Sequence, residues 1–220
     1  MEVALSGLQI SRGTLVSTLA KTFNVPQTSG RGSDVGHNGL NALIARIRQL
    51  GALGVPSKPR PTMNAHLTYG LTEVAEISMA MALMNAHMSP ALAARYVKEK
   101  WSDLATLALA GMLKAIPGSM RDSYEMPTGG SLALIEGNIL RTLGNREARD
   151  GVDEVPLAPV ELFNDAMRLG IRLAECPSAI VLNAGDFMYK NLISLRAFAP
   201  PDDELRLMLD AIQNAATGED

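Results

Sequence analysis

One cysteine, Cys176, is all that 220 residues contain, which excludes an internal disulfide and a cysteine-rich metal site. No apolar run approaches the roughly 20 residues needed to span a bilayer. The longest candidate, Val74 to Met88, is interrupted by Glu76, Ser78, Asn85 and His87. The N-terminus lacks a basic segment followed by an apolar stretch, so no secretory signal is expected. Gly30-Arg31-Gly32 is not followed by Gly-Lys-Ser/Thr, so it is not a phosphate-binding P-loop. The three histidines, His37, His66 and His87, are too dispersed to suggest a metal site. From these absences we expect a cytoplasmic chain with no membrane partner, no metal and no cofactor.

What is present favours a packed core, with 47% hydrophobic and 20% charged residues. The net charge of −3 conceals an uneven distribution. Up to Arg60, seven basic residues (Arg12, Lys21, Arg31, Arg46, Arg48, Lys58 and Arg60) face only Glu2 and Asp34, a net +5 that leaves −8 on the remainder. Such a split is the electrostatic footprint of one region facing a polyanion, although a solvated surface can carry a similar imbalance by chance.

Apolar spacing predicts a first helix through Leu15, Val16, Leu19 and Phe23, ended by Asn24, Val25 and Pro26. A loop is expected over Pro26 to Gly36. A second helix then carries Leu40, Leu43, Ile44, Ile47 and Leu50 on one face. Asn38, Asn41, Arg48 and Gln49 lie opposite, with Arg46 at the flank. Gly51, Gly54, Pro56, Pro59 and Pro61 force an irregular connection, and Thr62 to Tyr69 reads as a hairpin or wing. The third helix, Leu71 to His87, is apolar nearly all round and must be covered on both sides. Ser89-Pro90 starts a fourth helix that could extend to Leu113. A linker is expected over Ser119 to Gly130. Leu132 to Leu143 fits either a strand or a helix, and Val160 to Leu173 has helical periodicity. Ser178 to Leu182 reads as a strand, followed by a turn at Asn183 to Asp186, a helix over Phe187 to Phe198 and a last helix from Asp202 with Leu205, Leu207, Met208 and Ile212 inside. Cys176 has no evident cationic activator beside it and reads as inert. Asp186 reads as a helix cap.

The N-terminal succession of helix, loop, amphipathic helix and wing is a winged helix-turn-helix pattern. Its second helix can enter the major groove, where Asn and Arg recognise base edges. Asn41 and Arg48 are the base-reading candidates, with Asn38 and Arg46 on the same helix. Arg31, Lys58 and Arg60 suit phosphate contact, and His66 lies in the wing.

Four segments carry a family resemblance: Gly51-Ala52-Leu53-Gly54-Val55-Pro56, His66-Leu67-Thr68-Tyr69, Leu71-Thr72-Glu73-Val74 and Met84-Asn85-Ala86-His87-Met88-Ser89-Pro90. Between Ile47 and Val97 they resemble the MerR family of winged-helix regulators. That pattern has a recognition helix ending in Gly-Leu-Leu-Pro, a wing with a late Tyr, an acidic helix start and a subsequent break. Ile47 and Arg48 stand where the family has paired tyrosines, and Thr28 to Ser33 is an insertion. The resemblance implies duplex DNA as partner.

The expected fold is mainly α with some β: an N-terminal winged helix-turn-helix over 1–118, followed by a small α+β domain over 119–220. The second domain would dimerise, hold a partner or sense an effector. The expected function is a DNA-binding transcription regulator acting as a homodimer by operator occupancy, with RNA polymerase or another regulator as a further partner. A phage-related protein-interaction adaptor of the transcription machinery is the alternative. No nucleophile, metal or cofactor motif points to an enzyme.

Overall fold

Ser11 does two jobs at the start of the fold. Its backbone is extended in strand β1 (Ile10–Ser11), while its Oγ accepts a hydrogen bond from the Thr14 N–H at 3.2 Å and so caps helix α1 (Arg12–Thr22). The computed structural model describes residues 9–26, 34–57, 68–122, 124, 130–137, 156–196 and 202–218. Within these, the side chains of 34–38, 196, 202–204, 207 and 208 are outside the description. Helix α2 (Asp34–Ala52), strand β2 (Thr68–Tyr69), helix α3 (Leu71–Asn85) and helix α4 (Pro90–Glu99) follow. Helix α5 (Trp101–Met112), a 3₁₀ turn (Leu113–Ala115) and the short α6 (Gly118–Arg121) complete the first half. The second half comprises β3 (Leu132–Glu136), β4 (Val160–Phe163), α7 (Ala166–Glu175), β5 (Ala179–Asn183), α8 (Ala184–Arg196) and α9 (Asp202–Thr217). The chain is thus mainly helical with a few short strands.

Three helices stop in the same way. After α2, Gly54 turns left-handed at φ 79°, the Val55 N–H donates to the Leu50 carbonyl at 2.9 Å and the Gly54 N–H donates to Gly51 at 3.3 Å. This is a Schellman motif, and buried Leu50 and Val55 form its apolar clasp. Asn24 (φ 52°) ends α1 and His87 (φ 67°) ends α3 with the same pair of backbone bonds. Asparagine tolerates that conformation locally, whereas histidine adopts it at a cost.

β1 and β2 pair antiparallel, Ile10 opposite Tyr69 and Ser11 opposite Thr68. The other sheet has the order β4-β3-β5, antiparallel throughout, with Leu134 opposite both Glu161 and Val181. Its inner face, including Ala133, Ile135, Ile180 and Leu182, joins a hydrophobic core that also contains Leu15, Leu19, Leu50, Met79, Leu104, Leu109, Met188 and Ile212. Helices α8 and α9 pack on α5, and α8 also packs on α1, so apolar packing runs continuously across residue 118. Gly111 permits the closest approach: a Cβ there would stand 2.8 Å from that of Met188 and collide with the Ala184 carbonyl.

A chain of buried polar groups crosses the same interface. The Thr22 hydroxyl donates to Asn191 Oδ1 at 2.6 Å, Asn191 Nδ2 donates to Ser78 Oγ at 2.7 Å, and Ser78 donates to the Val74 carbonyl at 2.6 Å. All three side chains are buried, and each partner comes from a different helix, so the network fixes α1, α3 and α8 against one another.

Several local expectations are corrected. Val160–Phe163 is a strand rather than the start of a helix, because pairing with β3 outweighs its helical spacing. The helix that follows buries Leu169 and leaves Ile171 and Leu173 exposed. The expected fourth helix is two, broken at Lys100 (φ −121°). Leu132–Glu136 is a strand, and α8 begins at Ala184 without an intervening turn. Asp186 is not the cap. It sits in the first turn of α8 and pairs with Lys190 at 2.8 Å. Cys176 does have a cationic neighbour, since Arg172 Nη1 lies 3.1 Å from its sulfur. The thiol pKa is nevertheless raised, chiefly by desolvation, which agrees with an inert cysteine. Helix α2 starts at Asp34, inside the expected loop, and β1 was not anticipated. The methionines Met79 and Met81 are core residues. The burial expected for Leu205 and Ile212 is seen, whereas the side chains of Leu207 and Met208 lie outside the description.

Candidate nucleic-acid interface

Helix α2 has two unlike faces. Leu43, Ile47 and Leu50 are buried, with Leu40 and Ile44 packed partly against the same core. Asn41, Ala42, Ala45, Arg46, Arg48, Gln49 and Ala52 are exposed or nearly so. Asn41, Ala45, Arg48, Gln49 and Ala52 recur at helical spacing, so they form one stripe along the solvent side. The alanines keep that stripe low, which lets the amides and the guanidinium project without obstruction. Nineteen residues give the helix a length of about 28 Å at 1.5 Å per residue.

Among the described residues no ion pair involves Arg46 or Arg48. Arg46 Nη1 donates to Asn85 Oδ1 at 3.3 Å, a bond to an uncharged acceptor that leans the guanidinium toward the end of α3. Of the other predicted site residues, Asn38 lies in α2 with its side chain outside the description, and Arg31, Lys58, Arg60 and His66 lie outside the described residues. The structure therefore brings together Asn41, Arg46 and Arg48. Ala45 and Gln49 belong to the same face and were not among the candidates singled out, although their spacing from Asn41 is legible in the sequence.

Both ends of segment 58–67 are fastened to the core. Before it, the Ser57 N–H donates to Glu76 Oε2 at 2.7 Å and the Ser57 hydroxyl donates to Oε1 at 2.6 Å. Glu76 is only 3% exposed in the middle of α3. Desolvation raises its carboxyl pKa, the two Ser57 bonds oppose that rise and the Glu73 charge adds to it. After the segment, Thr68 and Tyr69 pair with β1, buried Tyr69 opposite Ile10, and Thr68 Oγ1 donates to Gln9 Oε1 at 2.8 Å. The residues on either side of 58–67 thus stand near the end of α2 and beside the start of α1.

No protein-family model, curated protein or solved structure matches the chain. Among the described residues, no group of three or more His, Cys, Asp or Glu could hold a metal ion, and no helix is long and apolar enough to cross a membrane.

A second polar cluster lies on the outer side of the three-stranded sheet. Arg172 of α7 donates to both carboxylate oxygens of Glu161, at 2.9 and 2.8 Å, and also to Glu136. Its pKa is raised by these carboxylates, Glu161 first. By pairing with carboxylates on two strands, Arg172 fastens α7 to β3 and β4.

Proposed function

We propose that the chain is a sequence-specific DNA-binding regulator of the MerR-like winged-helix kind, which inserts the exposed face of α2 into the major groove of duplex DNA. The observation that carries this reading is the stripe Asn41, Ala45, Arg48 and Gln49 on a helix whose opposite face is buried. Asparagine and glutamine suit the adenine edge, arginine suits guanine, and alanine suits the thymine methyl. The net +5 of the first 60 residues supplies attraction to phosphate. The β1–β2 pairing supports the reading as well, because it ties Thr68 and Tyr69, the last residues of the expected wing, to the start of α1. Binding would regulate transcription by occupying an operator, and two copies would read two half-sites.

A titration of fluorescent duplexes, tiled from the gene's own upstream region, tests the proposal. Arg48→Ala should weaken binding by about 1–3 kcal/mol and relax preference at one base position. The Arg46→Ala, Arg48→Ala double variant should abolish retardation with its thermal melt nearly unchanged, since both side chains are exposed. Unaltered binding by the double variant would refute the assignment. Absence of salt-dependent duplex binding in the unsubstituted protein would turn the α2 face over to a protein partner, the adaptor alternative.

A further inference from the structure

Strand β5 is an edge of its sheet among the described residues, and its outer side is suited to pairing. The Gly137 N–H donates to the Ser178 carbonyl at 2.8 Å, and the Ala184 N–H donates to the Ser131 carbonyl at 2.9 Å. With Ile135 opposite Ile180 and Ala133 opposite Leu182, these bonds define the residues that direct their amides toward β3: 178, 180, 182 and 184. In an antiparallel ladder the intervening residues direct theirs the other way. Ala179 and Val181 therefore offer N–H and C=O groups at the free edge, and Asn183 offers its N–H, its carbonyl also receiving the first bond of α8.

Natural edges are normally blunted by charge, proline or a bulge. β5 reads Ala-Ile-Val-Leu-Asn and has none of these, and the Val181 side chain is 42% exposed. The opposite edge differs: β4 is preceded by Pro156 and Pro159 and carries Glu161, which is paired with Arg172.

We infer that β5 is a dimerisation strand, pairing antiparallel with β5 of a second copy about a two-fold axis at Val181. At that register Val181 meets Val181 of the partner subunit, and Ala179 meets Asn183 of the partner subunit. All three outward residues then form hydrogen-bonded pairs, because they are centred on the axis and spaced by two. The product is one six-stranded antiparallel sheet. A second copy is the favoured occupant because the strand complements itself and has no charge to repel its own image. A foreign strand would be selected by charges or pockets along the edge, and β5 carries no charge. The two-fold would also relate two α2 helices symmetrically. The inference does not rest on DNA binding.

A five-residue strand pair buries less than the roughly 800 Å² per partner of a standard interface, so dimerisation should be weak, with Kd on the order of micromolar. Sedimentation equilibrium across about 1–200 µM brackets that value. The unsubstituted protein should rise from 23.4 kDa toward twice that mass. Val181→Lys sets two like charges together at the axis and should weaken association at least tenfold. Val181→Thr should retain it. Circular dichroism reports whether the Lys variant folds; Ala179→Lys probes the same edge independently if it does not. A protein that stays monomeric throughout overturns the inference, and so does a dimer indifferent to both lysines. Capture of an extended foreign peptide by a monomeric protein would overturn it in favour of strand donation from another protein. Because Arg48→Ala reports DNA binding and these variants report mass, failure of either proposal is distinguishable from failure of the other.

Discussion

Asn191→Ala removes the centre of the buried polar chain that links α1, α3 and α8. Three side-chain hydrogen bonds are lost: those from Thr22 and to Ser78, each worth about 1 kcal/mol net, and a long, weak one to Met188 Sδ at 3.8 Å. Ser78 keeps its bond to the Val74 carbonyl, whereas the buried Thr22 hydroxyl loses its acceptor, at a further cost of about 1–3 kcal/mol if it finds no other. We expect a total loss of roughly 2–4 kcal/mol, since reorientation of Thr22 recovers part of that cost. For a chain of this length the melting temperature should fall by about 5–15 °C. Urea unfolding followed by circular dichroism measures the loss. A double-mutant cycle with Thr22→Val isolates the shared bond, with an expected coupling of about 1 kcal/mol. A loss below roughly 0.5 kcal/mol, or strict additivity in the cycle, would show that the network does not join the helices as described.

Gly111→Ala in a helix interior ordinarily gains up to ~1 kcal/mol. Here the new methyl meets Ala184 and Met188, so chemical denaturation should show a loss of about 2 kcal/mol or more. His87→Gly should gain about 1 kcal/mol in the same assay, because glycine relieves the left-handed conformation that ends α3. Burial raises the Glu76 pKa in the folded state, so stability contributed below the ordinary glutamate range is lost as pH climbs through the folded value. Glu76→Gln lacks that term, and its stability relative to the unsubstituted protein should improve as pH rises above the ordinary glutamate range. A pH-independent difference between the two would contradict the burial effect.

The amphipathic spacing of Leu40 to Leu50 indicated which side of α2 is buried and which carries Asn41, Arg46 and Arg48, and the structure has the same division. Ser89-Pro90 likewise marked the start of α4, where Ser89 Oγ accepts from the Leu92 N–H at 3.3 Å. Helix α3, expected to be apolar nearly all round, is covered on every side from Val74 to Leu83. Less could be read beyond residue 130. The spacing of Leu162, Ala166, Leu169 and Ile171 satisfies a helix, yet its first part becomes strand once β3 is available to pair with it.

Caps, breakers and helical periodicity act within about four residues, so the sequence alone determined where most helices of the first half run and which faces they bury. The pairing of β1 with β2, the meeting of Arg172 with Glu136 and Glu161, and the burial of Asn191 between Thr22 and Ser78 depend on residues far apart in the chain. Only the tertiary structure decided these, because a local window cannot specify the distant partner that satisfies a strand amide, a carboxylate or a buried side-chain amide.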